Sequence, residues 1–217
     1  MNLTDTADVH WNAHWAGDVA EKWTVAEEDV HKWAAGLAPG SKVLDLGAGV
    51  GRHALALAAA GFDVTAFDAA PDGLAQIEAA DAGVTCVEGR MHVLPFEDAA
   101  FDHVLSWNVI YHGNEDILLR TISEIRRVTK PGGTFLGTML SKRRLPHETA
   151  NLPGGREISR NTWVFDTNES DKRHPHYFCS AAELLALFQG FEISWLEDRE
   201  HDKPGSYHWH MLAEKLA

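Results

Sequence analysis

The chain has 217 residues, 45% hydrophobic and 24% charged, with a formal net charge of −13. That suits one packed domain with an added lid and argues against a disordered chain. The acidic balance also argues against nucleic acid as a partner, since short basic runs such as Arg126-Arg127 and Lys142-Arg143-Arg144 suit solvated helix ends or loops.

Two cysteines, Cys86 and Cys179, are too few for a disulfide framework or a cysteine zinc cage. The opening "MNLTDTADVH" has neither a basic stretch nor an apolar core of a leader, and the low-polarity run from Ala54 is too short to span a bilayer. A cytoplasmic protein with no membrane partner is the expectation.

In chain order, residues 1–40 read as N-terminal cap helices. Val30, Trp33, Ala34 and Leu37 have amphipathic spacing, with Trp11, Trp15 and Trp23 ahead of them. Strands are expected at 43–46, 62–68, 84–89, 101–107 and 134–140. Helices are expected at 51–60, 71–80 with Pro71 near its start, and 115–129 with Ile117, Leu118, Ile122, Ile125 and Val128 on one face. Pro131-Gly132-Gly133 is expected to end the last of these. Residues 141–178 are polar and rich in Pro and Gly, and read as an insertion after the fifth strand. A helix follows, with Ser180 as N-cap and Glu183 in the capping-box position. Strands at 191–198 and 206–215 close the chain as a hairpin around Lys203-Pro204-Gly205. Alternating strands and helices predict a single α/β domain over 1–217, with a doubly wound, Rossmann-like sheet covered by helices on both faces.

The stretch "VLDLGAGVGR", 43–52, holds Gly47, Gly49 and Gly51 in the turn after the first strand. Open parallel sheets bind ligands at the carboxyl ends of their strands. Glycines there permit tight geometry and close ligand approach. The spacing is G-x-G-x-G rather than the dinucleotide G-x-G-x-x-G, whose last glycine is replaced by Arg52, and Asp45 precedes the turn. A carboxylate in that place repels a pyrophosphate and suits a cationic amino-acid group.

This stretch resembles the first motif of the class I S-adenosylmethionine-dependent methyltransferases. "GRMHVLPFEDAAFDHVLSWNVIYH", 89–112, and "EIRRVTKPGGTFLGTM", 124–139, resemble later parts of that family, in order and at its spacings. The resemblance implies a seven-stranded sheet of order 3-2-1-4-5-7-6 with the last strand antiparallel, and S-adenosylmethionine as cofactor with S-adenosylhomocysteine as product. It assigns Asp45, Gly47, Ala48, Gly49 and Gly51 to the methionine end, Asp68 and Ala69 to the ribose, Met91 and His92 to the adenine side, and Asn108 to the sulfonium region. Arg90 departs from the family, which often has Asp there; Arg accepts no hydrogen bond. The adenine edge must then be read by the backbone of Arg90 and Met91 or by another side chain, unless Arg90 stacks on the ring.

Methyl transfer from a sulfonium is an in-line displacement in which the protein aligns the acceptor and excludes water. Candidates to orient or deprotonate a small-molecule acceptor are Tyr111 and His112 after strand 4, His176 in "HPHYF" and His208 in "SYHWHML". Tyr177 and Phe178 are placed as covers of the acceptor pocket, and His210 as a buried, satisfied histidine. His174 with His176, or His208 with His210, raise the thought of a metal, but no local motif such as H-E-x-x-H supports one and none is assigned. The tryptophan-rich start faintly resembles the lid of thiol and halide methyltransferases, which tilts the expected acceptor toward a thiol or similar soft nucleophile. The rival readings are a methyltransferase acting on RNA or protein, and a non-catalytic S-adenosylmethionine-binding protein. The expected state is a monomer or homodimer.

Overall fold

A computed structural model describes residues 7–17, 23–168, 170–201 and 203–217. Parts of the expected N-terminal cap, residues 1–6 and 18–22, lie outside the described residues.

The first strand, β1 (Lys42–Leu46), is short and buried beyond its first residue, as suits a central parallel strand. It pairs in parallel with β2 (Asp63–Asp68) on one side and β4 (Phe101–Ser106) on the other, and β3 (Thr85–Glu88) continues beyond β2. Helices α3 (Arg52–Ala59), α4 (Pro71–Ala79) and α5 (Glu115–Val128) make the crossovers. Helix α5 shows why such a segment folds locally. The side chain of Asn114 accepts from the Ile117 N–H, acids occupy the first turn and Arg126 and Arg127 the last. Its buried stripe, Leu118, Ile122, Ile125 and Val128, joins the main core.

The next strand, β5 (Thr129–Ser141), begins earlier than expected, at the helix end. Thr129 is already extended, two residues before Pro131, so the Pro-Gly-Gly segment lies at the strand's start, where the register with β4 shifts. Antiparallel β10 (Tyr207–Lys215) runs beside β5, and β9 (Phe191–Glu200) pairs with β10 at the edge. Counting only the seven strands foreseen from the sequence, the order is 3-2-1-4-5-7-6 with the last strand antiparallel, as expected.

The insertion is more structured than its composition suggests. After a short 3-10 turn at Lys142–Arg144 come α6 (Leu145–Asn151), β6 (Arg156–Ser159) and β7 (Thr162–Val164), then a second such turn at Asp171–Arg173 and β8 (His176–Cys179). Strand β8 pairs with β7 and, in parallel, with the last two residues of β5, so ten strands form one sheet. These strands escaped the sequence pattern because β6 is exposed throughout and the pieces are three or four residues long. Helix α7 (Ala181–Leu187) carries the capping box foreseen for Ser180 and Glu183.

Two helices precede the sheet. In α2 (Glu28–Ala34), Val30 and Trp33 pack into the core. In α1 (Ala7–Trp15), Asn12 exchanges two hydrogen bonds with Asp72 at the start of α4, and Gln76 donates to the Trp15 carbonyl.

Candidate active site

A cavity of about 700 Å³ opens at the carboxyl edge of the sheet. One end is bordered by the turns after β1, β2 and β3; the other by residues after β4, by the insertion and by the β9–β10 turn.

At the first end, Gly47, Gly49 and Gly51 all have left-handed backbone, at φ of 82°, 55° and 86°. A Cβ on Gly47 would lie 2.2 Å from Val109, and one on Gly51 would lie 2.5 Å from Ile77. Those two glycines therefore make room for neighbouring protein, not only for a ligand, which corrects the simpler reading of the turn. A Cβ on Gly49 would meet the indole of Trp15 at 3.1 Å. Asp68, at the end of β2, accepts from the Gly49 N–H through Oδ2 and from the Ala70 N–H through Oδ1, each at 2.8 Å. Burial raises its carboxyl above the ordinary range, against these backbone donors.

Asp45 is 1% exposed and lies beneath the turn, not on the cavity wall. Its Oδ2 has no hydrogen-bond partner among the described residues. Burial pushes its pKa up to about 7 although Arg52 pulls it down. His53 Nε2 and Trp107 Nε1 are also buried without partners, and both residues line the cavity. Buried polar atoms in a native fold have partners in the great majority of cases, so His53 and Trp107 on the wall, with Asp45 beneath it, mark the first end as a place for a further polar partner.

Ala48, Ala69, Met91 and His92 line the same region. Arg90 lines the cavity, and its guanidinium pairs with Asp8 of α1 at 2.8 Å. Asn108 takes left-handed backbone at φ 62°, and Thr138 Oγ1 donates to its side chain and accepts from its N–H. Over this end lies a cluster of rings. Trp11 stacks on Trp15 at 5.4 Å, Trp23 meets both edge-on, and Trp11 meets His112 at 5.8 Å.

At the second end, Tyr111 and His112 line the cavity as expected of their position after β4. Burial pushes the Tyr111 phenol well above its ordinary range. His208 also lines the cavity, but both its nitrogens are used: Nδ1 faces the Ser206 carbonyl at 3.0 Å and Nε2 accepts from Arg144 at 3.1 Å. Its ring stacks on His201 at 3.8 Å. Burial, then the charges of His201 and Arg144, hold its pKa far below the usual histidine range. Such a ring positions Arg144 and is not poised to take a proton.

His176 is fully buried and stands behind His112, off the cavity wall. Burial lowers its pKa to about 3. Backbone pairing across the two segments seals it there: the Tyr177 N–H donates to the Tyr111 carbonyl and the Gly113 N–H to the Pro175 carbonyl. Tyr177 and Phe178 do not cover the pocket. As β8 enters the sheet they join the main core, and the Tyr177 hydroxyl meets Asn161 and Glu115 on the far side. His210 is buried and paired with Asp29 and His201.

Sequence reading missed Arg144, Asp171, Lys172 and His201, all of which line this second end. They come from polar loops with no periodicity. The one signal for Asp171 was an acid amid the bases of "DKRHPH".

The fold and this turn architecture define a nucleotide-type cofactor domain of the Rossmann-like class. Residues 43–133 match the family model described as a methyltransferase domain. That span holds the motifs that resemble the class I S-adenosylmethionine-dependent methyltransferases. Among relatives, it is 40% identical over 103 residues to the malonyl-[acyl-carrier protein] O-methyltransferase of Erwinia billingiae, covering 47% of this chain and 40% of that one. It is 33% identical over 130 residues to the demethylmenaquinone methyltransferase of Renibacterium salmoninarum, covering 55% and 54%. The chain spans about half the length of the curated relatives it matches. Among solved structures, a methyltransferase of Methanosarcina mazei superposes with a TM-score of 0.71 at 19% identity, covering 88% of this chain and 99% of that one. The 1,6-didemethyltoxoflavin-N1-methyltransferase of Burkholderia thailandensis, solved with 1,6-didemethyltoxoflavin and S-adenosylhomocysteine, superposes with a TM-score of 0.67 at 21% identity, covering 91% and 82%. Among the described residues no helix is long and apolar enough to cross a membrane.

Proposed function

We propose that this chain transfers the methyl group of S-adenosylmethionine to a small-molecule acceptor, a thiol or similar soft nucleophile. The observation that carries the reading is Asp68. Its two oxygens are pinned by backbone N–H groups of the glycine turn and of the turn after β2, which leaves their remaining lone pairs directed at ribose hydroxyls in the cavity.

Bound there, the cofactor supplies a methyl group already activated by its sulfonium. The turn of Gly47, Ala48, Gly49 and Gly51 wraps the methionine end, with Asp45 contributing negative charge from beneath. Ala69 borders the ribose, while Met91 and His92 flank the adenine. Because Arg90 is held by Asp8, adenine recognition falls to the backbone of Arg90 and Met91. Asn108 borders the sulfonium. Tyr111 and His112 orient the acceptor, His176 supports His112 from behind, and His208 acts by positioning Arg144. The tryptophan cluster of α1 and Trp23 excludes water above the cofactor.

Two experiments test this. Calorimetry is expected to show one equivalent of S-adenosylhomocysteine bound per chain; uptake of a nicotinamide or flavin dinucleotide instead would overturn it. Incubating S-adenosylmethionine with thiols, phenols, amines and carboxylates is expected to release S-adenosylhomocysteine fastest with a thiol. Turnover confined to RNA or protein would remove the small-molecule assignment, and none with any acceptor would leave a binding protein.

A further inference from the structure

Three side chains converge at the acceptor end in a way their hydrogen bonds do not explain. His112 Nε2 lies 3.2 Å and His176 Nε2 3.1 Å from the same oxygen, Asp171 Oδ2, and the three atoms fall within 4.8 Å of one another. Each ring's other nitrogen is committed. His112 Nδ1 lies 2.7 Å from the Val109 carbonyl and His176 Nδ1 2.8 Å from the His174 carbonyl. A carbonyl only accepts, so each Nδ1 carries the proton and donates. In a neutral ring that leaves each Nε2 with a lone pair aimed at a carboxylate oxygen, which is itself an acceptor. Three acceptor atoms thus face one another, an arrangement that a shared cation resolves.

The surroundings match those of a metal ligand set. Histidines that bind metals donate their second N–H to a carbonyl or carboxylate, and ligating carboxylates are themselves held. Here Asp171 Oδ1 accepts from Ser170 Oγ at 3.1 Å and faces Lys172 Nζ at 3.5 Å, which leaves Oδ2 for the histidines. Metal bonds of about 2.1 Å set near right angles place donor atoms about 3.0 Å apart, close to both observed spacings. The backbone pairing between residues 111–113 and 175–177 holds the two rings in place without any ion.

We infer that His112 Nε2, His176 Nε2 and Asp171 Oδ2 form a binding site for a divalent transition-metal ion of the zinc class, open toward the cavity. Two histidines and one carboxylate leave coordination positions for an acceptor. This deepens the methyltransferase reading and rests on it for the role of the ion. A thiol acceptor would coordinate through sulfur and lose its proton to water in the cavity. The sulfur lone pair then forms the new C–S bond as the methyl–sulfonium bond breaks, and that electron pair leaves with S-adenosylhomocysteine. The site differs from both histidine pairs suggested by the sequence, since His174 packs against His10 and His208 is held by Arg144.

The test uses the full chain, stripped with chelator and desalted. Calorimetry with Zn²⁺ is expected to show one equivalent bound, and Co²⁺ to give d–d absorption bands. Asp171→Asn, nearly isosteric, and His112→Gln should each weaken Zn²⁺ at least tenfold while circular dichroism shows both folded. His174→Ala should bind Zn²⁺ within about threefold of the parent. Substoichiometric Zn²⁺, or affinity unmoved by both ligand variants, overturns the site; so does nitrogen NMR showing both rings as imidazolium in the presence of Zn²⁺. S-adenosylhomocysteine titrations on the same samples separate the two claims. Zn²⁺ binding without nucleoside binding would sink the methyltransferase reading and keep the site, and the reverse would sink only the site.

Discussion

The proposed cofactor end of the cavity is drawn from consecutive segments, residues 47–50, 68–69 and 89–92, each at or directly after the end of one parallel strand. The acceptor end gathers Tyr111, His112, Arg144, Asp171, His201 and His208 from five separate segments. At the first end backbone conformation shapes the wall, so the requirement falls on glycine, on Asp68 with its two backbone donors and on fixed spacing. At the second end the geometry comes from side chains that hold one another. Arg144 binds His208, Ser206 and Glu148, and Asp171 joins His112 to His176. The first end should therefore break through single backbone changes, and the second only through its networks.

The largest effect is expected at Gly47. Alanine there must hold φ 82° and place a Cβ against Val109. We expect a loss of about 3 kcal/mol in urea unfolding, from strain plus overpacking. Adding Val109→Ala should restore only the packing share. Full recovery in the double variant would show that the left-handed backbone costs nothing. Next comes Asp68→Ala, which removes the clamp on Gly49 and Ala70 as well as the proposed ribose contact. Calorimetry is expected to show S-adenosylhomocysteine weakened by about 1–3 kcal/mol, roughly 5- to 150-fold. An unchanged affinity would remove Asp68 from the site.

Asp45 should give a pH signature with two signs. Its pKa rises from 3.8 to about 7 in the fold, so the folded state holds its proton more tightly than the unfolded chain. That contribution to stability is present below about pH 4 and is lost as pH climbs toward 7. Cofactor binding runs the other way, because the ionised carboxylate attracts the ammonium group. The Kd for S-adenosylmethionine is expected to rise by up to about tenfold per pH unit below 7. In Asp45→Asn the melting temperature at pH 8 should increase while the pH dependence of binding flattens. Equal pH slopes in both proteins would assign the titration elsewhere.

That contrast also explains how much could be read from the sequence. The sheet order, the glycine turn and the place of Asp68 at the end of β2 were legible because each rests on local spacing along a strand–turn–helix unit. The capping box of Ser180 and Glu183 was legible for the same reason. The acceptor end was not. His112 and His176 were singled out one by one, but Asp171 joins them across 59 and 5 residues of chain. Its place depends on β8 pairing into the sheet, which a four-residue strand in a polar insertion does not advertise. His208 misled for a related reason: its position at the sheet edge was right, but its partner Arg144 lies 64 residues away.

The smallest effect should come from the lid. Helix α1 is fastened by the exposed pair Asn12–Asp72, to the first turn of α4, and by the Asp8–Arg90 bridge, to the cavity-lining turn after β3. Exposed polar contacts of this kind contribute about 0.2–1 kcal/mol each. Asn12→Ala should therefore leave unfolding nearly unchanged. Trp15 is the part of α1 that touches Gly49, and it stays in place through its own burial and the Gln76 contact. What the lost fastening should alter is how often the outer part of α1 lifts, with Trp11 on it. Stopped-flow tryptophan fluorescence is expected to show S-adenosylhomocysteine leaving about twofold to fivefold faster, with little change in its on-rate. Asp8→Asn should add to this, since the two contacts share no partner. An equal rise in on- and off-rates would mean that α1 gates entry without contributing to affinity, and no change in either would detach the lid from the cofactor altogether.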